Sequence, residues 1–214
     1  MKPYVSFNKT LVKLIGEKTL LEYQVDWLNE HGVDHIVLAI DHQTHSRLRE
    51  DKPQLLERLD CSIEKERLGT GGAVVKAMDL LDSPKFYLMN VDDIILSDKY
   101  TTLDLLNILE GNDGKKGSIL LGRTRFPFGI VETSSNRVTG FRQKPVLDYN
   151  ICSGHYAFTK EGVEIYFPEV GNFEESALLE MVKDGVLNSM ELDGDWITVN
   201  NMKQLEEAKK KLSQ

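Results

Sequence analysis

The sequence is poor in cysteine, since its 214 residues include only Cys61 and Cys152. The two lie far apart and neither belongs to a CxxC or Cys/His cluster, so the pattern predicts neither a disulfide framework nor a structural zinc site. The longest uninterrupted apolar run, Ile36 to Ile40, is far below the roughly 18 residues that a membrane helix needs. Residues 1–9 contain no signal-type apolar stretch. We therefore expect a cytoplasmic protein without a membrane partner.

The sequence also lacks an excess of basic residues. Its 26 Lys and Arg against 34 Asp and Glu give a formal net charge of -8. Proteins that bind the nucleic-acid backbone carry a basic face, so we expect no nucleic-acid partner. A mononucleotide site remains compatible with this charge, because a few cations and backbone amides suffice for it. The length falls in the usual range for one domain, and we predict a single domain over residues 1–214.

Hydrophobic periodicity predicts alternating helices and strands. Apolar positions recur at helical spacing from Leu20 to Leu28, after a capping box formed by Thr19 and Glu22. Strands at 35–40 and 86–90 are expected to be buried on both faces, as parallel strands between helices are. The other predicted strands are 61–64, 118–122, 155–158 and 186–192, and the other predicted helices are 46–59, 72–81, 99–109, 172–183 (capped by Asn172 with Glu175) and one beginning at Asn201. This alternation predicts an α/β fold with a doubly wound, mostly parallel, Rossmann-like mixed sheet.

After Arg123 the period changes from helical to strand-like. Residues 129–133 and 137–142 flank Ser134, Ser135 and Asn136 as the strands of a β-hairpin flank its turn. We predict an antiparallel hairpin lobe, inserted over about residues 123–150.

Two segments that follow strands are suited to ligands, because open α/β sheets bind ligands beyond the carboxyl ends of their strands. The first, LGTGGA at 68–73, leads directly into a helix. Its glycines would let backbone amides approach an anion or a base edge, although a tight turn into a helix explains them equally. The second contains Asp92 and Asp93. A carboxylate there suits Mg²⁺ held against phosphate oxygens, although a helix cap or a solvated loop fits as well.

The order of motifs along the chain resembles that of the sugar-1-phosphate nucleotidyltransferases. The matching segments run from about Leu11 to the C-terminus: LVKL with Gly16 and TLLEYQ within 11–24, LGTGGA at 68–73, NVD at 90–92, FGIVE at 128–132 with VTGF at 138–141 and QKP at 143–145, CSGHY at 152–156, and WITVN at 196–200. The resemblance implies a nucleotide-diphospho-sugar transferase type of fold. It also implies attack of a sugar 1-phosphate on the α-phosphate of a nucleoside triphosphate with Mg²⁺, giving a nucleotide sugar and pyrophosphate. An oligomer is compatible with it.

The resemblance assigns roles to residues of this chain. It implies catalysis by Lys9 and Asp92, metal binding by Asp92, nucleotide binding by Leu68, Gly69, Thr70 and Gly71, and substrate binding by Gly129, Gln143, Lys144, Cys152 and Gly154.

The chain departs from the family pattern mainly at its start. The family's first strand leads into a GGxGTRL loop that grips the triphosphate, whereas residues 1–8 contain neither glycine nor arginine. Lys9 to Val12 is one register for the family's KPLV element, leaving residues 1–8 as a shortened first strand; residues 2–5 are the other register. In addition, Thr198 stands where the family has its second metal aspartate, Gln143 replaces a glutamate and Cys152 an asparagine. Two hypotheses follow: a nucleotidyltransferase, or a non-catalytic relative that binds nucleotide sugar as a regulatory or partner subunit.

Overall fold

Helices and strands alternate through most of the chain. The structure is a computed structural model that describes residues 9–110 and 114–213, so a strand in residues 1–8 lies outside the described residues. The strands are β1 (Lys13–Ile15), β2 (Lys18–Thr19), β3 (Val37–Asp41), β4 (Asp60–Glu64), β5 (Lys85–Met89), β6 (Asp93–Leu96), β7 (Gly117–Gly122), β8 (Ile130–Ser134), β9 (Arg137–Arg142), β10 (Ile151–Thr159), β11 (Leu187–Glu191) and β12 (Asp195–Thr198). The helices are α1 (Leu20–Glu30), α2 (His42–Asp51), α3 (Pro53–Leu56), α4 (Gly69–Ala77), α5 (Thr102–Glu110), α6 (Lys160–Tyr166), α7 (Ala177–Lys183) and α8 (Met202–Leu212).

Local capping explains where several helices begin. The capping box before α1 is confirmed: the side chain of Thr19 accepts from the amide of Glu22, and the side chain of Glu22 accepts from the amide of Thr19. Asn201 caps α8 as predicted, accepting from the amide of Gln204. The predicted cap at Asn172 is wrong, because Asn172 makes no capping bond and precedes only a short 3₁₀ turn. Its side chain instead accepts from the amide of Thr70, 3.4 Å away.

The largest sheet has the strand order β11-β7-β10-β5. Strands β5 and β7 both run antiparallel to β10, and β11 runs parallel to β7. Three of its four strands therefore point the same way and only β10 is reversed, which confirms a mixed sheet of mostly one direction. Strands β3 and β4 form a separate parallel pair. The predicted hairpin is confirmed as the antiparallel pair β8 and β9.

Helices cover both faces of the four-stranded sheet. On one face, α1 and α5 pack against Tyr87 and Met89 of β5 in one core cluster. On the other face, α4, α6 and α7 pack with Phe86 and Leu88 in a second cluster. Since successive side chains of a strand point to opposite faces, the helices α1 and α4 lie on opposite sides of β5. None of the helices in the described ranges is both long enough and apolar enough to cross a bilayer.

Residues 35–40 and 86–90 are less buried than predicted, although helices lie on both faces of β5. Ala39 is exposed, and every residue of β5 is only partly buried. The reason is that β3 and β5 are not hydrogen-bonded to each other. A cavity of about 640 Å³ separates them, and residues of both strands line it.

The periodicity did not predict five elements of the structure: β1, β2, β6, α6 and β12. Strand β6 begins at Asp93 and pairs antiparallel with β12, so that Thr198 lies opposite Asp93. This pairing brings the WITVN segment, from near the end of the chain, against the residues that follow β5.

Candidate functional site

The acidic corner comprises Lys9, Asn90, Asp92, Asp93 and residues 198–200. The backbone holds it at the end of β5, where the amide of Asn90 donates to the carbonyl of Gly154 over 2.9 Å. The amide of Val199 donates to the carbonyl of Asp92 over 2.8 Å. These bonds bring together segments that are far apart in the sequence.

Lys9 and Asp92, the two predicted catalytic residues, meet in this corner. The ammonium of Lys9 lies 2.6 Å from Oδ2 of Asp92 and also donates to the side-chain oxygen of Asn200. The side chain of Asp92 keeps 17% of its surface exposed, so an incoming ligand could reach it. Asn200 in turn donates to Oγ1 of Thr198 over 2.7 Å. Sequence reasoning missed Asn200, although it belongs to the WITVN motif.

Asp93 is buried, with a relative exposure of 6%. Its carboxylate accepts from the indole of Trp196 at 3.0 Å and from the side-chain amide of Asn90 at 3.1 Å. Burial raises the pKa of Asp93 to about 6, and these two bonds offset part of that rise. The carboxylate is thus held inside the protein by donors of its own chain.

Gly154 lies against this carboxylate. A Cβ added at Gly154 would come 2.0 Å from Oδ2 of Asp93, and the backbone φ there is +77°. Only glycine fits both the space and the conformation. The structure therefore gives Gly154 a packing role, and its contact with substrate stays a prediction. Cys152, two residues earlier on β10, is exposed and donates through Sγ–H to the hydroxyl of Tyr156 over 3.1 Å.

A buried histidine, which the sequence analysis did not single out, lies beneath the corner. His155 is fully buried, and its Nε2 lies 3.0 Å from the carbonyl oxygen of Asp93. Its Nδ1 lies 2.6 Å from the hydroxyl of Tyr87, which also receives the hydroxyl proton of Tyr100. Burial lowers the pKa of His155 to about 4. A neutral ring that donates from Nε2 and accepts at Nδ1 satisfies both partners.

The glycine turn, residues 68–72, is packed against residues 168–174. The amide of Gly71 donates to the carbonyl of Gly171 over 2.9 Å, and the amide of Thr70 faces Asn172. A Cβ at Gly72 would lie 2.2 Å from the carbonyl oxygen of Glu169. Close approach of two backbone segments thus explains these glycines. Nucleotide binding by Leu68, Gly69, Thr70 and Gly71 stays a prediction, and two of the amides already face acceptors within the protein.

The remaining predicted residues lie in the hairpin lobe. At Gly129, an added Cβ would come within 2.6 Å of Phe141 and 3.2 Å of the side chain of Gln143. Lys144 has a φ of +45°, a conformation that side chains rarely adopt and that often marks functional sites. A neighbouring Lys203, from the first turn of α8, lowers the pKa of Lys144. Lys203 is a second residue that sequence reasoning missed.

The described residues contain no group of three or more His, Cys, Asp or Glu side chains able to hold a metal ion. Asp92 is the accessible carboxylate of the acidic corner, because Asp93 is buried and the corner's third position, Thr198, carries a hydroxyl. Magnesium commonly binds one or two carboxylates and completes its shell with water and substrate phosphate. A single carboxylate such as Asp92, whose Oδ2 is paired with the ammonium of Lys9 in this structure, is compatible with a site of that kind, and its binding of Mg²⁺ stays a prediction.

A family model described as Nucleotidyl transferase matches residues 5–214. Mannose-1-phosphate guanyltransferase beta-A of Xenopus laevis is 30% identical over 210 residues, which cover 93% of this chain and 57% of that protein. The chain thus spans little more than half the length of the relatives it matches.

Two solved structures share the fold. HddC from Yersinia pseudotuberculosis, complexed with GMP-PN, aligns with a TM-score of 0.70 and 22% identity, covering 99% of this chain and 93% of that one. A putative glucose-1-phosphate thymidylyltransferase from Bacillus anthracis aligns with a TM-score of 0.69 and 16% identity, covering 98% and 89%. These similarities confirm the predicted type of fold.

Proposed function

The chain belongs to the nucleotidyl transferase family, and on that premise we propose that it transfers a nucleotidyl group from a nucleoside triphosphate to a sugar 1-phosphate. The observation that carries this proposal is the meeting of Lys9, Asp92 and Asn200 at one edge of the sheet. An accessible carboxylate and a fixed ammonium lie side by side there. A polyphosphate needs positive charge, which the ammonium would supply directly and the carboxylate would supply by holding a metal ion.

The proposed reaction joins two anions. A phosphate oxygen of the sugar 1-phosphate forms a bond to the α-phosphorus, while the bond from that phosphorus to the bridging oxygen breaks and pyrophosphate leaves with the electron pair. Asp92 would hold Mg²⁺, which would supply positive charge to offset that of the phosphates. The protein's own contribution is alignment and electrostatic stabilisation, without a covalent step.

Lys9 is suited to contact phosphate oxygens, because Asp92 and Asn200 orient its ammonium before any ligand arrives. Lys144 and Lys203 form a second cationic pair. Two neighbouring ammonium groups repel each other, and an anion between them relieves that repulsion, so we assign this pair to the phosphate of the sugar substrate. The glycine turn is assigned to the base, which would lie beside the start of α4 without using the amides of Thr70 and Gly71, since these already face Asn172 and Gly171.

The test is a pyrophosphate assay with purified protein, Mg²⁺, each nucleoside triphosphate in turn, and either mannose 1-phosphate or glucose 1-phosphate. GTP with mannose 1-phosphate comes first, because the relatives carry the name mannose-1-phosphate guanyltransferase. We expect pyrophosphate from at least one pair. Lys203→Gln should raise the KM for the sugar phosphate by about tenfold, the loss of one charge-assisted contact, with little change in kcat.

A second candidate is a non-catalytic relative that binds nucleotide sugar as a regulatory or partner subunit. The observation that favours it is Thr198, which occupies the position of the family's second metal carboxylate and is bonded to Asn200. Calorimetric binding of a nucleotide sugar, without pyrophosphate from any pair, would support this candidate against the first.

We also place the protein in the cytoplasm, because both cysteines are free thiols. Association into an oligomer is compatible with either function.

A further inference from the structure

Asp92 lies in a turn, residues 90–93, that leads from the end of β5 into the start of β6. We call this segment the aspartate turn. A turn between two strands leaves carbonyl groups that need partners from elsewhere. The amide of Asp93 donates to the carbonyl of Asn90 over 3.2 Å. The carbonyls of Val91 and Asp93, one on each side of Asp92, receive side-chain donors instead.

Gln24 of α1 bonds both of these carbonyls. Its side-chain nitrogen donates to the carbonyl of Val91 over 3.1 Å and to that of Asp93 over 2.7 Å. An amide nitrogen carries two hydrogens, so the two bonds use both. Gln24 is only 3% exposed. It is the polar member of the buried face of α1, which otherwise consists of Leu20, Leu21, Val25, Trp27 and Leu28. Burying an amide among apolar side chains is unfavourable unless it is bonded, and the aspartate turn provides the bonds.

His155 of β10 is a second buried donor to the same turn. Its Nε2 lies 3.0 Å from the carbonyl oxygen of Asp93, which thus accepts from both His155 and Gln24 and has both of its lone pairs occupied. The hydroxyl of Tyr87, 2.6 Å from Nδ1, receives the hydroxyl proton of Tyr100. Donation from Tyr87 to Nδ1 leaves the hydrogen on Nε2 and orients the ring. The peptide group after Asp92 is therefore held from α1 and from β10 together.

The carboxylate of Asp92 is reached from the other side. It pairs with Lys9 and keeps 17% of its surface exposed, whereas Gln24 and His155 are buried. The turn is thus bonded from within the protein on both sides of the residue whose side chain meets solvent. Rotation of either flanking peptide group would displace that side chain. A displacement of about 1 Å within a catalytic site can lower the rate by about two orders of magnitude.

We propose that Gln24 and His155 are positioning residues for Asp92: they hold the two peptide groups beside it and so aim its carboxylate at the metal ion. Neither residue touches substrate. This inference rests on the proposed function, in which Asp92 holds Mg²⁺. Loss of an outer partner of a metal ligand typically lowers metal affinity or activity by about 10–100-fold. Gln24 should matter more than His155, because it bonds both peptide groups and His155 bonds one.

The first test is the binding of Mn²⁺ alone to the purified protein, since carboxylate sites that suit Mg²⁺ also suit Mn²⁺. Electron paramagnetic resonance measures the free ion, and the binding that is lost in Asp92→Asn defines the site. Gln24→Met keeps the length of the side chain but removes both donors. We expect it to weaken this binding by about tenfold.

Ser118→Ala is the matched control. The buried hydroxyl of Ser118 on β7 donates to the carbonyl of Leu105 over 3.0 Å, so this variant also removes a buried bond from a side chain to a backbone carbonyl. It should lower the melting temperature and leave the Mn²⁺ affinity unchanged. The comparison separates aim of the carboxylate from general loss of stability.

Two variants of His155 provide an independent arm if Gln24→Met does not fold. His155→Leu removes the donor and should weaken Mn²⁺ binding by about threefold. His155→Gln keeps a donor in a side chain of similar size and should stay within about twofold of the parent protein. This rescue by the conservative variant would show that the bond matters and that filling the space is not sufficient.

Kinetics supply a second readout. Gln24→Met should lower kcat for pyrophosphate formation by about tenfold, with less than about a twofold change in the KM for the sugar 1-phosphate. In the Asp92→Asn background the same substitution should change kcat by less than about twofold, because its effect passes through Asp92. Equal losses in the two backgrounds would overturn the positioning role.

The binding results decide the inference separately from the proposed transfer. Equal Mn²⁺ affinity in the parent protein and Gln24→Met, or an equal loss in Ser118→Ala, would overturn the inference. A parent protein without Asp92-dependent Mn²⁺ binding would overturn it together with the metal assignment. Weaker Mn²⁺ binding in Gln24→Met, without pyrophosphate from any substrate pair, would support the inference and reject the proposed transfer.

Discussion

The acidic corner and the glycine turn both follow strands that point toward the same edge of the fold, and both carry family motifs. In the corner, Asp92 remains partly exposed and Lys9 is held beside it by Asn200. In the turn, the amide of Gly71 and the side chain of Thr70 are bonded to residues 171–174. Both regions resemble family motifs, but their structures differ. The corner presents charged groups to solvent, whereas the turn mainly joins two backbone segments. Substitutions in the two regions should consequently affect different measurements.

The largest expected effect is the loss of activity in Asp92→Asn. Removing the accessible carboxylate should lower kcat/KM for pyrophosphate formation by about two to three orders of magnitude, since a bound metal ion contributes several kcal/mol of charge stabilisation. The melting temperature should change little. Asp193→Asn is the matched control, because Asp193 forms an exposed pair with Lys99 and such pairs contribute little. Equal activity of the two variants would show that the metal assignment is wrong.

The next effect concerns the pH dependence of stability beneath the corner. The pKa of Asp93 is raised from 3.8 to about 6, so the folded state binds an extra proton in this window, and the free energy of unfolding falls as pH rises through it. The pKa of His155 is lowered from 6.5 to about 4. Between these two pKa values the unfolded state binds the extra proton, so the free energy of unfolding rises with pH. Each shift corresponds to about 3 kcal/mol, and the two contributions largely cancel between pH 4 and pH 6.

Single variants should reveal the two opposing contributions. In urea unfolding across this range, Asp93→Asn should lose stability on acidification more steeply than the parent protein. His155→Gln should instead gain stability on acidification. Parallel pH profiles for the parent and both variants would contradict the assigned pKa shifts.

A smaller effect is expected at the end of the glycine turn. Gly72→Ala places a methyl group 2.2 Å from the carbonyl of Glu169, and overpacking of this kind costs about 1–3 kcal/mol. The loss should appear in the free energy of unfolding. Gly16→Ala is the control, because no atom lies within 4 Å of its added Cβ and only the φ of +55° opposes it. A larger cost at Gly16 than at Gly72 would mean that backbone conformation, not close packing, selects these glycines.

The smallest effect is expected for Thr70→Val. The hydroxyl of Thr70 donates to Glu174 and accepts from the amide of Phe173. Losing these two hydrogen bonds should lower the free energy of unfolding by about 1 kcal/mol. The KM for the nucleoside triphosphate should change less than twofold if the turn is mainly structural. A larger rise in KM without loss of stability would make the turn resemble the corner and would favour direct nucleotide contact by Thr70.

Sequence reasoning succeeded best where a pattern is local. The helix α1, its capping box and the β8–β9 hairpin depend on residues a few positions apart, and all three are confirmed. It failed where neighbours in the fold decide. The strand β5 has the composition of a buried strand, yet an apolar run does not reveal whether a partner strand lies beside it, and here one side faces a cavity.

The site shows the same division. The sequence by itself determined the family and the fold class, because ordered motifs and hydrophobic periods are properties of the chain, and the role of Asp92 stays a prediction. Only the tertiary structure decided that Lys9 meets Asp92 across 83 positions, that Asn200 orients it, that Lys203 joins Lys144, and that the glycine turn packs on residues 168–174. These contacts join distant segments, and their geometry depends on how the whole sheet and its helices pack, which no local pattern encodes.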